Sequence, residues 1–247
     1  MNILITNDDG IDSPGLQALV DSLSPKHSVD VIAPDGQRSG TSHYLTMHEA
    51  IRCTRVSDRG YVISGSPADC VLLGILGALD HKPDVVLSGI NLGANLGTDV
   101  VYSGTAAAAR QAAFMGVPGI ALSLTDANGS LNFRPLTDLV TSHLQELIDL
   151  WDEDHFINVN APNCPDAALP VRVGSLCRRI YDDNLHAYTA PGGDVYYFLD
   201  GSLNESGAAD GTDWAVVRSG AISLSTVSIH PCEYSGVDKY RRARFLE

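Results

Sequence analysis

Over the first 160 positions the apolar residues form two kinds of cluster that alternate: short unbroken runs, and longer stripes spaced three and four apart. Asn2-Ile3-Leu4-Ile5 is a short run and predicts a buried strand. Ser13 and Pro14 then open a helix as N-cap and first helical residue, with Leu16, Leu19, Val20 and Leu23 on one face. Residues 29–33 predict a second buried strand. After a loop rich in Gly and Ser, residues 46–54 and 61–64 read as a small hairpin. A helix follows, capped by Ser66 with Pro67 behind it and striped by Ala68, Val71, Leu72, Ile75, Leu76 and Leu79. Residues 84–88 predict a strand and 105–115 an alanine-rich helix closed by Gly116 and Pro118. Residues 119–123 predict a further strand, 136–151 an amphipathic helix, and 156–159 the last strand of the core. Strands and helices that alternate with short connections predict a parallel α/β sheet.

Beyond Pro165 the pattern changes to turn residues between short strand-like runs, at 195–199 and 221–227, with no regular helix expected before the basic segment near Tyr240. Residues 221–229 alternate with period two, and the exposed edge of such a strand would need covering, which makes subunit contact a natural role. The chain therefore divides into a core, residues 1–165, and a β-rich C-terminal extension, residues 166–247, that serves oligomerisation and shares elements with the core.

Composition narrows the class. At 247 residues, 44% hydrophobic and 19% charged, the chain can bury a substantial core. The first strand is not preceded by a basic segment and a long apolar run, and nowhere are there about 18 consecutive apolar residues. A soluble, unexported, cytoplasmic protein is expected, with no membrane partner. The cysteines Cys53, Cys70, Cys164, Cys177 and Cys232 are widely spaced and odd in number, with no CxxC pair, so they are expected as buried small hydrophobes rather than a disulfide framework or zinc site. A formal charge of −14 argues against a nucleic-acid polymer as partner, because most of the surface would repel it. A phosphorylated substrate would need local positive potential from a bound cation and oriented backbone N–H groups.

Four polar segments sit where such chemistry is expected, at the carboxyl ends of predicted strands or at a helix start. The first is Asn7-Asp8-Asp9-Gly10. Adjacent carboxylates repel one another, a cost that a hard dication removes by binding between their oxygens; the alternative is an Asx-rich turn with Gly10 at positive φ. The second is the loop from Pro34 to His43, where Ser39, Gly40, Thr41 and Ser42 offer hydroxyls and backbone donors to an anion, with Ser39 also a candidate metal ligand; a merely flexible loop is the alternative. The third runs from Gly89 to Gly97 with Gly or Asn at every second position, which permits left-handed backbone, close approach to a ligand and amide contacts from Asn91 and Asn95. The fourth is Ser103-Gly104-Thr105 at the start of the alanine-rich helix, either an anion site at the positive end of the helix dipole or an ordinary cap. A dinucleotide GxGxxG fingerprint is absent.

Taken together, Thr6-Asn-Asp-Asp-Gly10 with Ser13-Pro-Gly15, Ala33-Pro34 with Arg38-Ser-Gly40, Gly65-Ser-Pro-Ala-Asp-Cys70, Ser88-Gly-Ile-Asn-Leu-Gly93 and Tyr102-Ser-Gly-Thr105 resemble the SurE family of survival-protein 5′/3′-nucleotidases in order and spacing. Asn158-Val-Asn-Ala-Pro162 and Gly211-Thr-Asp-Trp214 resemble it more weakly. The resemblance implies a Rossmann-like α/β core with helices on both faces, a β-rich C-terminal part used in dimer or tetramer assembly, and one divalent cation, Mg²⁺ or Mn²⁺. It implies Asp8, Asp9, Ser39 and Asn91 as metal ligands. It implies phosphate contacts from Gly40, Ser42, Asn95, Ser103, Gly104 and Thr105, and hydrolysis of 5′- and 3′-nucleoside monophosphates, with short polyphosphate a further substrate. One departure stands at His43, where relatives carry a non-titrating amide, so no general-acid role is carried over to it.

The expected mechanism has Asp8 and Asp9 as catalytic residues, orienting a water that attacks phosphorus in line while the helix start and Asn95 hold the remaining oxygens. A phosphoenzyme formed on an aspartate is a variant of the same reaction. Two rivals stand beside it. A nucleotide-sugar transferase also uses paired aspartates, but a short turn directly after strand one is the wrong setting. A non-catalytic nucleotide or metal sensor on the same scaffold would keep the ligands and lack turnover.

Overall fold

The central strand is central because it is apolar on both faces. In a computed structural model, which describes residues 1–125, 129–165, 168–204 and 209–231, β1 (Asn2–Thr6) has Ile3, Leu4 and Ile5 wholly buried. It lies between β2 (Ser28–Pro34) and β5 (Val85–Leu92), parallel to both. Side chains alternate across a strand, so the run is shared between two layers. Ile3 and Ile5 pack with Leu16, Leu19 and Leu23 of α1 (Pro14–Leu23) and with α4 (Arg134–Asp149) on one face. Leu4 packs with Val71 of α2 (Pro67–Leu73) and Ala108 and Ala112 of α3 (Gly104–Phe114) on the other. Each buried leucine contributes roughly 2 kcal/mol by leaving water.

The main sheet adds β3 (Cys53–Ser57), β4 (Gly60–Ile63), β6 (Gly119–Thr125), β7 (His155–Pro162), β8 (Val171–Val173) and β11 (Ile222–Ser228), in the order β3-β4-β2-β1-β5-β6-β7-β11-β8. From β4 to β7 every pairing is parallel, while β3 and β11 run antiparallel to their core neighbours. This is the expected α/β, Rossmann-like sheet with helices on both faces and mixed edges. Strand order reverses between β1 and β5, and that switch point is where a cleft opens beyond the carboxyl ends of the strands. Gly15 allows α1 to lie this close to β5: a Cβ there would stand 2.1 Å from the Ile90 carbonyl oxygen.

Several expectations are corrected. The strand expected at 46–54 begins only at Cys53. The stripe beyond Ser66 continues past α2 as a π-helical turn, Gly74–Ala78, rather than as regular helix. Ser13 occupies the N-cap position of α1 but makes no capping hydrogen bond, whereas Ser66 forms a full capping box with Asp69. A helix, α5 (Asp213–Arg218), forms where none was expected; at six residues it is too short to show a helical period. The strand expected to need a partner, β11, is paired on both edges within the chain, by β7 and β8. The basic segment near Tyr240 lies outside the described residues.

Outside the main sheet, β9 (Ile180–Thr189) and β10 (Val195–Asn204) form a long antiparallel hairpin with Tyr188, Tyr196, Phe198 and Leu199 exposed. Of the cysteines, Cys70 and Cys177 are buried as expected, but Cys53 is exposed and Cys164 half-buried; Cys232 lies outside the described residues. Among the described residues no helix is long and apolar enough to cross a membrane.

Candidate active site

The turn after β1 satisfies its own backbone and leaves two carboxylates over. The buried Asn7 side chain donates from Nδ2 to the Gly10 carbonyl at 2.8 Å and accepts the Gly10 N–H at 3.2 Å, while Gly10 takes φ of 101°. The Asx-turn alternative is thus the local structure of Asn7 and Gly10, and it frees Asp8 and Asp9 from any role in the turn.

Asp8 is 3% exposed, and Thr105 of α3 donates its hydroxyl to Oδ1 at 2.6 Å. Burial is the main force pushing the Asp8 carboxyl up, and the charge of Asp9 adds to it. The Thr105 hydroxyl and the N–H groups of Asp8 and Thr105 oppose the rise. Asp9 keeps Oδ2 buried with no hydrogen-bond partner. Two crowded carboxylates, one with an orphaned oxygen, form a donor set that suits a hard cation. Among the described residues no three His, Cys, Asp or Glu side chains gather as ligands. A cation here would therefore rest on Asp8 and Asp9 with neutral oxygens such as those of Ser39 and Asn91.

The loop from Pro34 to His43 is pinned rather than flexible. The Arg38 N–H donates to the Asp8 carbonyl at 2.7 Å, Arg38 pairs with Asp35 at 2.5 Å, and the Ser42 N–H donates to the Tyr102 carbonyl at 2.9 Å. These anchors hold Ser39 and Gly40 over the cleft. The Ser42 hydroxyl is committed to the Val101 carbonyl at 2.6 Å and does not line the cleft.

On the far side, Asn91 donates Nδ2 to the Gly93 carbonyl at 2.9 Å, which leaves its Oδ1 as an acceptor. Asn95 is clamped from two strands. Its Nδ2 donates to Ser123, its N–H to Asn160, and its carbonyl accepts from both Asn158 and Asn160, at 2.8 to 3.1 Å. The Asn158-Val-Asn160 motif therefore acts through Asn95. Ser103 caps α3 by accepting the Ala106 N–H at 3.0 Å, an acceptor role that leaves its own proton to donate. Cap and anion donor are compatible at this residue.

Asp8, Ser39, Gly40, Asn91, Asn95 and Ser103 line one cleft of about 500 Å³. Gly104 and Thr105 stand behind Asp8, close enough that a Cβ on Gly104 would meet the Asp8 Cβ at 3.0 Å. Asp9 opens instead onto a neighbouring depression of about 370 Å³ with Asp12 and Asp35.

A profile of the family described as survival protein SurE matches residues 3–183. The chain belongs to the SurE family. The 5′-nucleotidase SurE of Geobacter sulfurreducens is 39% identical over 241 aligned positions, covering 96% of this chain and 91% of that protein. The 5′-nucleotidase SurE of Chloroflexus aggregans is 41% identical over 253 aligned positions, covering 98% of each. The crystal structure of the SurE protein from Aquifex aeolicus matches with a TM-score of 0.83 at 32% identity, covering 100% of this chain and 99% of that one.

In this SurE-family chain the cleft has a second wall that sequence reasoning did not assign, made by Asp99, Tyr102, Tyr181, Asp183 and Leu199. Tyr102 stands inside a recognised motif but carries no titratable or ligating signal; Tyr181 and Leu199 come from the hairpin, whose residues are distant in sequence. Asp99 accepts the Tyr181 hydroxyl at 2.7 Å and pairs with Arg179 at 2.6 Å. Burial, then that bond to Asp99, pushes the Tyr181 phenol up to about 12, so it remains a donor. His43 faces α3, with Nε2 2.8 Å from the Gln111 side-chain oxygen.

Proposed function

We propose that this chain is a phosphomonoesterase that releases phosphate from 5′- and 3′-nucleoside monophosphates in a divalent-cation-dependent reaction, with short polyphosphate as a further substrate. One observation carries the reading: Asp8, at the β1–β5 switch point, lines one cleft with Ser39, Asn91 and Ser103 at the N-terminus of α3, and Asp9 lies next to it in sequence on the adjoining depression, so groups that favour a cation and groups that favour a phosphate are brought together. Relatives named 5′-nucleotidase SurE support it.

Asp8, Asp9, Ser39 and Asn91 would hold the cation, Mg²⁺ or Mn²⁺. When bound it supplies Lewis-acid polarisation of the phosphoryl group and a lowered pKa for water. Asp9, with an oxygen free of hydrogen bonds, orients the attacking water, and Asp8 shares that task. The Ser103 hydroxyl, the first N–H groups of α3 at Gly104 and Thr105, the Asn95 side chain and the backbone of Gly40 stabilise charge on the phosphoryl oxygens as the transition state develops, a task for which Ser42, with its N–H and hydroxyl both committed, is not available. Thr105 acts chiefly by keeping the Asp8 carboxylate oriented.

The deciding assay is phosphate release from 5′- and 3′-nucleoside monophosphates and short polyphosphate with Mg²⁺, with Mn²⁺ and with EDTA. Cation-dependent release is expected. Nucleotide binding without any release would make the chain a sensor instead.

Residues 166–247 are proposed to carry assembly, as a dimer or tetramer. An isolated two-stranded hairpin is marginal in water, and β9–β10 exposes aromatic and aliphatic side chains on both strands. A monomer by light scattering would remove this role.

A further inference from the structure

Building on the proposed phosphomonoesterase, we infer that Tyr102 and Tyr181 are the seat of the leaving group, stacking on its aromatic base, and so determine specificity for nucleotides over other phosphate esters. The cleft lining is chemically of two kinds. Asp8, Ser39, Asn91, Asn95 and Ser103 are polar groups suited to a cation and a phosphate; Tyr102, Tyr181 and Leu199 add aromatic and aliphatic surface, with Asp99 and Asp183 beside them. A volume of about 500 Å³ is far more than a phosphate group fills, and pockets of that size with aromatic lining and a few polar groups suit a small organic ligand.

The seat is built from two directions. Tyr102 is the residue before Ser103, so its ring, 62% exposed, is attached directly to the phosphate-facing start of α3. Tyr181 is held rigidly, with its hydroxyl donating to Asp99 at 2.7 Å and the Arg179 guanidinium 5.7 Å from its ring centre. The cation occupies one face of the ring, and 41% of the residue stays exposed. The hairpin register puts Leu185, Asp183 and Tyr181 opposite Leu199, Gly201 and Leu203, and residues paired across a ladder share a face, so Tyr181, Asp183 and Leu199 present one continuous wall. Gly201 leaves that wall open: a Cβ there would meet the Asp183 carboxylate at 2.5 Å. Asp183 stands beside Tyr181 as an acceptor for hydroxyls of a sugar, which joins base to phosphate in a nucleotide.

The test compares kcat/KM on adenosine 5′-monophosphate with kcat/KM on ribose 5-phosphate, which has the same phosphate and sugar and no base. Tyr102→Ala and Tyr181→Ala are each expected to lower the ratio of the two about five- to a hundredfold, the range that base stacking on an aromatic ring commands. Tyr102→Phe keeps the ring and should keep the ratio. A ratio unchanged in both alanine variants overturns the seat while leaving the phosphatase reading intact. Calorimetric binding of adenosine itself needs neither turnover nor cation, and is expected to weaken in Tyr102→Ala and persist in Tyr102→Phe. Adenosine bound through these tyrosines by a chain that releases no phosphate would sink the phosphatase reading and leave the seat standing; equal adenosine binding by wild type and both alanine variants overturns the seat.

Discussion

The hydroxyl of Thr105, in the first turn of α3, donates to the carboxylate of Asp8, at the end of β1, over 2.6 Å. The bond ties the helix start to the carboxylate pair, so neither half of the site is set independently of the other. Thr105→Val removes the donor at nearly constant volume and leaves a buried carboxylate short of a partner. A loss of about 2 kcal/mol is expected, seen as a drop in Tm of roughly 4–8 °C. Phosphate release should fall roughly 10- to 100-fold, as when a group orienting a ligand is lost. Thr105→Ser should recover most of both; wild-type activity in the valine variant would remove Thr105 from the site.

Asp8→Asn and Asp9→Asn are nearly isosteric and each removes one charge. Both should retain the fold by circular dichroism and lose at least about a hundredfold in phosphate release. Mn²⁺ at about a hundred times its dissociation constant should stabilise wild type by about 2.7 kcal/mol over EDTA. The two variants should show little of that gain in a melting experiment. Activity within about tenfold of wild type in either variant would count against the ligand assignment.

His43 gives a pH dependence of definite sign. Burial is the main force holding its imidazole below the ordinary 6.5; Gln111 opposes the fall and Arg110 adds to it. A histidine depressed in the fold binds fewer protons folded than unfolded, so the stability linked to it is complete above 6.5 and is lost as pH falls below that value toward the folded pKa. Melting temperatures followed from about pH 7 down to about pH 5 should decline less steeply in His43→Gln than in wild type. Parallel curves would show that His43 does not titrate abnormally.

Asp213 braces the cleft from behind. Wholly buried, its carboxylate accepts the N–H groups of Gly97, Cys177 and Trp214 at 2.7 to 2.9 Å. It thereby joins the segment leading to Tyr102 to the C-terminal part of the chain. Asp213→Ala orphans three buried donors, so a loss of at least about 3 kcal/mol and a fall in Tm of roughly 6–12 °C are expected. A shift under about 2 °C would mean that water replaces the carboxylate.

What could be read along the chain was whatever a short stretch encodes by itself. Ile3-Leu4-Ile5 announced a strand buried on both faces, the stripe of Leu16, Leu19 and Leu23 announced α1, and two adjacent carboxylates at Asp8 and Asp9 were conspicuous because charge repulsion is local. The hairpin strand β9 stayed hidden because both its faces are exposed and leave no alternation to detect; α5 stayed hidden because six residues carry less than two helical turns. Ser42 belonged to a loop whose composition suggested a donor, yet its hydroxyl is taken by Val101, a partner composition does not name.

The sequence by itself thus determined the parts: a parallel α/β core, a carboxylate pair at a strand end, a capped helix start, and glycines where backbones approach. Tertiary structure alone decided their assembly. Sheet order reverses between β1 and β5, so segments far apart in the chain converge on one cleft, with Thr105 on Asp8, Asn158 and Asn160 on Asn95, and Tyr181 on Asp99. The reason is physical: propensity and periodicity act over a few residues, whereas these contacts follow from how the strands pack, and no local pattern records which distant side chain will close a given hydrogen bond.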